Sequence, residues 1–202
     1  SYSGFESAQA PKTTNANGTD HDKLVELSAK PREWLARNLQ LASKDPNPAV
    51  RKAAQSALIS AEEENYPKFI LALVDLMAAP SRNEYVCQLA GLHVKNLLVA
   101  NDNDGALQTK KHDKWMAIPP ITRRAIQSNL LNAIRSPVCG TRNTAVMVGS
   151  EIAAIEIPDK EWLEFPSVMM ENVTGAGIDD GIKISSLECL GFTCERIALT
   201  IG

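Results

Sequence analysis

The sequence predicts an all-α protein built as an α-solenoid, a superhelix of HEAT-type antiparallel helix pairs. Three observations carry this expectation. Apolar residues recur at three-to-four-residue spacing in one segment after another, and no run of alternating β-branched and polar residues reads as a strand. Proline and glycine punctuate the chain between those segments. The offset from Gly149 to Gly191 falls in the roughly 40–47-residue period of HEAT or armadillo repeats.

Taken in chain order, residues 1–30 are expected to be a flexible tail, because Ser, Ala, Thr, Asn, Gly and Lys dominate the start and offer little to bury against the cost of ordering. Residues 31–202 are expected to hold about four helix pairs. Segments 31–43 and 48–64 form the first candidate pair. A clear helix then follows Tyr66-Pro67, where proline suits a first turn and Phe69, Ile70, Leu73, Val74, Leu76 and Met77 mark one face before Pro80 ends it. The next spans 84–100 with Val86, Leu89, Ala90, Val94, Leu97 and Leu98 on its apolar face, and stops in an Asn-Asp-Asn-Asp-Gly loop. Further helical patterns occupy 106–118, 121–135, 141–157, 161–173 and 180–197. The helices opened by Tyr66-Pro67-Lys68-Phe69-Ile70 and by Trp162-Leu163-Glu164-Phe165-Pro166 resemble each other, as outer helices of repeats would. Their partners each carry a glycine in an apolar stretch, at Gly91, Gly149 and Gly191. A helix-interior glycine costs about 1 kcal/mol, so close helix packing is the expected compensation.

Composition narrows the function. The 202 residues are 44% hydrophobic and 22% charged, the balance of a water-soluble globular chain. With 21 Lys+Arg against 24 Asp+Glu, the net charge of -3 supplies no global field for nucleic acid or an anionic membrane. No apolar run is long enough to span a bilayer and no basic-then-apolar leader opens the chain, so a cytosolic setting is expected. Cys87, Cys139, Cys189 and Cys194 lie in apolar helical segments and read as reduced core thiols.

Several short motifs carry no chemistry. The 100–105 segment places Ala100 at the first position of a calcium loop and Lys111 where the bidentate Glu belongs, which excludes calcium binding. The glycines of 175–181 have the wrong last spacing for a dinucleotide fingerprint and follow no strand. Cys189 and Cys194, five apart, match no zinc spacing. His21, His93 and His112 are scattered without a paired carboxylate, so no metal, cofactor or enzyme activity is expected. Asn17-Gly18-Thr19 and Asn172-Val173-Thr174 fit the glycosylation pattern, which without a secretory leader has no expected consequence. Trp115 and Trp162 are expected to pack between repeats.

The run Ala90-Gly91-Leu92-His93-Val94-Lys95-Asn96-Leu97-Leu98 resembles the N-terminal region of importin-β (karyopherin-β) nuclear transport receptors. Lys114-Trp115-Met116-Ala117-Ile118, Arg123-Arg124-Ala125-Ile126, Ala154-Ile155-Glu156-Ile157-Pro158 followed by Trp162, and Leu187-Glu188-Cys189-Leu190-Gly191-Phe192-Thr193-Cys194 resemble the family in the same order and spacing. The resemblance implies a HEAT superhelix whose inner helices bind partners and whose first repeats receive the small GTPase Ran in its GTP form. It further implies shuttling between cytoplasm and nucleus, and import cargo or adaptor and nucleoporin contacts through later repeats of a longer chain. The alternative is a HEAT scaffold for protein assembly without GTPase dependence. The apolar end Ile197-Ala198-Leu199-Thr200-Ile201-Gly202 lacks the polar face of a capping repeat, which points to a truncated array or an end covered by self-association.

Within that frame Lys95 and Asn96 are the first site candidates, a cation beside a two-way hydrogen-bonding amide suited to acidic side chains and carbonyls of a protein partner. Their ordinary reading is a solvated lysine and a helix-end cap. Arg123 and Arg124 are candidates to extend a basic inner face, and equally suit the first turns of a solvated helix. The family often repeats the Lys-Asn pair where this chain has Gln127 and Ser128, a departure that weakens the electrostatic part of the implied GTPase contact.

Overall fold

The computed structural model describes the backbone of residues 19–79, 83–100 and 104–201, and the side chains of 31–79, 83–100 and 104–199. Nine helices and no strands occur among the described residues: α1 (Thr19–Lys44), α2 (Pro48–Glu64), α3 (Tyr66–Ala78), α4 (Glu84–Leu98), α5 (Gly105–Met116), α6 (Pro120–Ile134), α7 (Cys139–Glu156), α8 (Phe165–Thr174) and α9 (Asp180–Ile201). Residues 1–18 of the expected tail and residues 101–103 of the 100–105 segment lie outside the described residues.

Local sequence explains the starts. Asn47, Asn65, Asn83 and Asp104 each stand just before a helix and accept a backbone N–H of its first turn at 2.9–3.0 Å, satisfying donors that have no intrahelical partner. Pro48, Pro67, Pro120 and Pro166 fall in first turns, where their missing N–H costs nothing.

Two boundaries differ from expectation. α1 begins at Thr19, twelve residues before the predicted start, and runs through Pro31. α8 begins at Phe165 instead of 161, because Pro158 follows the end of α7 and Lys160 adopts a left-handed φ of 63°. The Glu161 N–H then closes that turn on the Glu156 carbonyl at 2.9 Å. Trp162 therefore opens no helix; it sits in the turn, fully buried against Phe165 with ring centroids 4.7 Å apart.

The pairs α1–α2, α3–α4, α6–α7 and α8–α9 are antiparallel hairpins, and α5 stands outside the pairing. First helices α3 and α6 pack side by side, and second helices α4, α7 and α9 form the other layer. The opening α1–α2 pair leans on α3 and α4. One continuous apolar core fills the space between layers, with Ile70, Leu73, Leu98, Trp115, Ile126, Leu130, Ile152, Trp162 and Phe165 excluded from water. The two tryptophans thus pack as expected. Second helices lie closely against one another whereas α6 and α8 scarcely meet, so the array bends toward the α4–α7–α9 side. This is an α-solenoid of HEAT-type pairs.

The glycine expectation holds at one of three positions. A Cβ on Gly91 would stand 2.0 Å from the Thr144 methyl, so α4 and α7 approach too closely for any side chain there. Gly149 has room at ordinary contact distance, and nothing lies within 4 Å of Gly191. The core-thiol reading is corrected for half the cysteines. Cys87 and Cys189 are buried, the latter with its thiol pushed up to about 12 by desolvation, but Cys139 and Cys194 are exposed. Cys139 opens a helix and Cys194 lies five residues from Cys189, which turns it to the opposite face.

Candidate partner-binding face

Two grooves open on the α4–α7–α9 layer. One, of about 400 Å³, lies over α7 and α9 with Lys95 of α4 on its rim; Met147, Phe192 and Leu199 supply apolar walls and Glu151, Glu195 and Arg196 supply charge. The other, of about 570 Å³, runs between α4 and α7 and is lined by Tyr85, Leu89, Leu92, Cys139, Asn143 and Met147. Met147 belongs to both, so the two form one continuous strip along the inside of the bend.

The charges of the first groove are mutually compensated. Arg196 donates from Nη2 to Glu151 Oε1 at 2.9 Å. Burial pushes the Glu151 carboxyl above its usual range, while the Arg196 and Lys95 charges oppose that rise. Lys95 therefore faces a buried carboxylate across the groove and keeps part of its surface for a partner. Phe192 in this groove and Leu92 in the other are each nearly half exposed. The strip thus offers apolar side chains interrupted by a small set of oriented charges, a composition suited to a protein surface.

The structure separates the four predicted site residues. Lys95 and Asn96 lie near the end of α4, Lys95 on the groove and Asn96 exposed beside it. The Asn96 carbonyl accepts a hydrogen bond from the Lys111 ammonium of α5. Arg123 and Arg124 are on α6, in the opposite layer, so they do not extend a basic inner face. Arg124 is exposed on that outer side. Arg123 is 4% exposed and belongs to the interior. Its Nη1 donates to Glu156 Oε1 at 3.0 Å, its Nη2 meets Glu161 Oε2 at 3.3 Å, and its Nε donates to the Ile118 carbonyl. Glu156 also accepts from Trp115 Nε1 at 3.1 Å and from Gln127 Nε2. Gln127 is thereby committed to a buried carboxylate.

Arg123 misled because its flanking residues read as a solvated helix start, and only the fold brings Glu156, thirty-three positions away in sequence, onto it. Glu151, Phe192 and Arg196 were missed. The signal that finds Phe192 and Arg196 is their spacing with Leu199 on a face of α9 distinct from the buried Ser185, Cys189 and Thr193, whereas Glu151 on α7 carries no such signal. Asn172, whose glycosylation pattern was noted, is 1% exposed and bridges Arg135, just past the end of α6, at 2.7 Å and Ser186 of α9 at 3.0 Å.

Residues 54–136 match the model of the importin-beta N-terminal domain. Over 152 residues, 74% of this chain, the sequence is 32% identical to importin subunit beta-1 of Arabidopsis thaliana. The chain carries an importin-β-type N-terminal domain. It spans 17% of that relative's length, and the domain it matches is an N-terminal one. Two solved structures of Kap95p share its fold at 25% identity, each over 82% of this chain and 19% of their own. The first, with a TM-score of 0.76, concerns Kap95p binding that induces the switch loops of RanGDP to adopt the GTP-bound conformation. The second, with a TM-score of 0.75, is a Kap95:Nup1 complex. The importin-β fold accounts for the two-layer array described above, including the strip on its concave side.

Proposed function

We propose that this chain is the Ran-recognising N-terminal region of a nuclear transport receptor, taking part in import of protein cargo and shuttling between cytoplasm and nucleus. The observation that carries the reading is the strip of Leu92, Lys95, Met147 and Phe192 on the concave layer of an importin-β-type array. Kap95p, which shares this array, acts on the switch loops of Ran. Lys95, Asn96 and the neighbouring apolar residues bind the GTPase, whereas Arg124 on the outer layer is available to other partners. Nucleoporins, as in the Kap95:Nup1 complex, and cargo or adaptor engage the larger receptor of which this region is part.

Such a receptor performs no bond chemistry. Its work is a coupling free energy: GTPase and cargo change one another's affinity by the same factor through the shape of a shared solenoid.

A pull-down with Ran loaded with GTP or GDP tests the reading. Retention that depends on GTP supports it, and equal or absent retention in both states favours a GTPase-independent scaffold. Lys95→Glu should weaken GTP-dependent binding by roughly tenfold, the scale of a lost rim charge and an added repulsion, with helicity unchanged by circular dichroism. Unchanged affinity removes Lys95 from the interface.

A further inference from the structure

α5 lies along the edge of the array and belongs to no helix pair, yet four residues within one stretch of it reach four different places. Lys111 Nζ donates to the carbonyls of Asn96 and, at 2.7 Å, Val99, which end α4. His112 Nε2 lies 3.1 Å from Asp159 Oδ2 in the turn that leads from α7 to α8. Lys114 Nζ meets Glu62 Oε1 of α2 at 2.5 Å and stands 4.1 Å from the ring centre of Tyr66, the first residue of α3. Trp115 is buried completely and donates to Glu156 at the end of α7. The side chain of Gln108 ties the helix back to α4 as well, donating to the Leu98 carbonyl at 3.0 Å and accepting from the Ala100 N–H at 2.8 Å.

These contacts have a mechanical meaning. In a solenoid each pair touches only its neighbours, so small rotations between pairs accumulate along the array. A helix bonded at once to the first, second and third pairs, and to the turn that opens the fourth, removes that freedom. We propose that α5 is a strap that sets and holds the curvature of the first four helix pairs. Trp115 is its fixed anchor, and Lys111, His112 and Lys114 are its tethers. The concave strip is consequently preformed, and a partner need not supply the cost of ordering it. Lys111 and Lys114 hold through charge at partly exposed positions, so the hold weakens as salt screens them.

The proposal needs no partner for its test, so its failure is distinguishable from failure of the Ran reading. Spin labels on Ser56→Cys of α2 and Ser167→Cys of α8, with the exposed Cys139 and Cys194 replaced by serine, report the distance between the first and fourth pairs in the full chain. Lys111→Ala, His112→Ala and Lys114→Ala together should broaden the distance distribution, and amide exchange in the last turn of α2 should accelerate by roughly tenfold. Lys110→Ala, exposed on the same helix, is the control for loss of a lysine that makes no tether and should leave the distribution narrow. A triple variant as narrow as the control overturns the strap. If the triple variant melts, Lys114→Ala alone, checked by its thermal transition, must still broaden the distribution, and an unchanged width is again fatal.

Discussion

Glu156 is withdrawn from water entirely and holds three side-chain donors, from Trp115, Arg123 and Gln127. Desolvation pushes its carboxyl above the usual range, and those three partners pull the other way. Such a cluster contributes less net stability than its bonds suggest, yet removing one member strands the rest. Glu156→Ala should cost about 3 kcal/mol in chemical denaturation, because the Arg123 guanidinium would remain buried with the half-exposed Glu161 as its remaining carboxylate partner. His93, partly buried with its ring edge-on to Phe69 at 5.7 Å, has the opposite relation to solvent charge. Burial lowers its pKa below 6.5 and outweighs the opposing field of Glu62. The unfolded chain therefore binds this proton more readily than the folded one, so the His93 contribution is intact above pH 6.5 and is lost as pH falls through the depressed value. Asp75, Glu151 and Glu156, all raised by burial, act with the contrary sign on the acid side. Denaturation midpoints of the parent and of His93→Asn across that range isolate the histidine: the parent should lose more stability on acidification than the variant.

Helix existence was legible in the sequence wherever an apolar stripe met a cap. The Asn-Pro and Asn-Tyr-Pro starts of α2 and α3 bound their helices in the structure where the pattern placed them. The start of α8 was not legible, because the aromatic Trp162 mimics the Tyr66 opening while its indole is needed in the interior of a turn. Close approach of helices was equally hidden. Gly91, Gly149 and Gly191 look alike in sequence, and only the facing side chain decides whether a Cβ fits. Gly91→Ala should destabilise by about 1–2 kcal/mol, the overpacking against Thr144 exceeding the gain in helix propensity. Gly191→Ala, with open space around it, should stabilise by about 0.5–1 kcal/mol. Thermal melts of the two variants give opposite signs if this account is right and like signs if both glycines serve packing.

The array as a whole was readable because repeat architecture leaves a period, and Lys95, singled out by the sequence, lines the groove over α7 and α9. Its partner residues were not readable, since Glu151 and Arg196 come from two later helices and meet only after the layers stack. The same stacking explains why Arg123 lies inside: its carboxylate arrives from the end of the following helix. Apart from the reach of α5 back to Glu62, each hairpin rests on the one before it. A nascent polypeptide can therefore bury every hairpin soon after it clears the ribosome, without waiting for distant segments. Closure of the Lys114–Glu62 bridge comes later, once α5 has emerged, and seals a core whose earlier layers are already assembled.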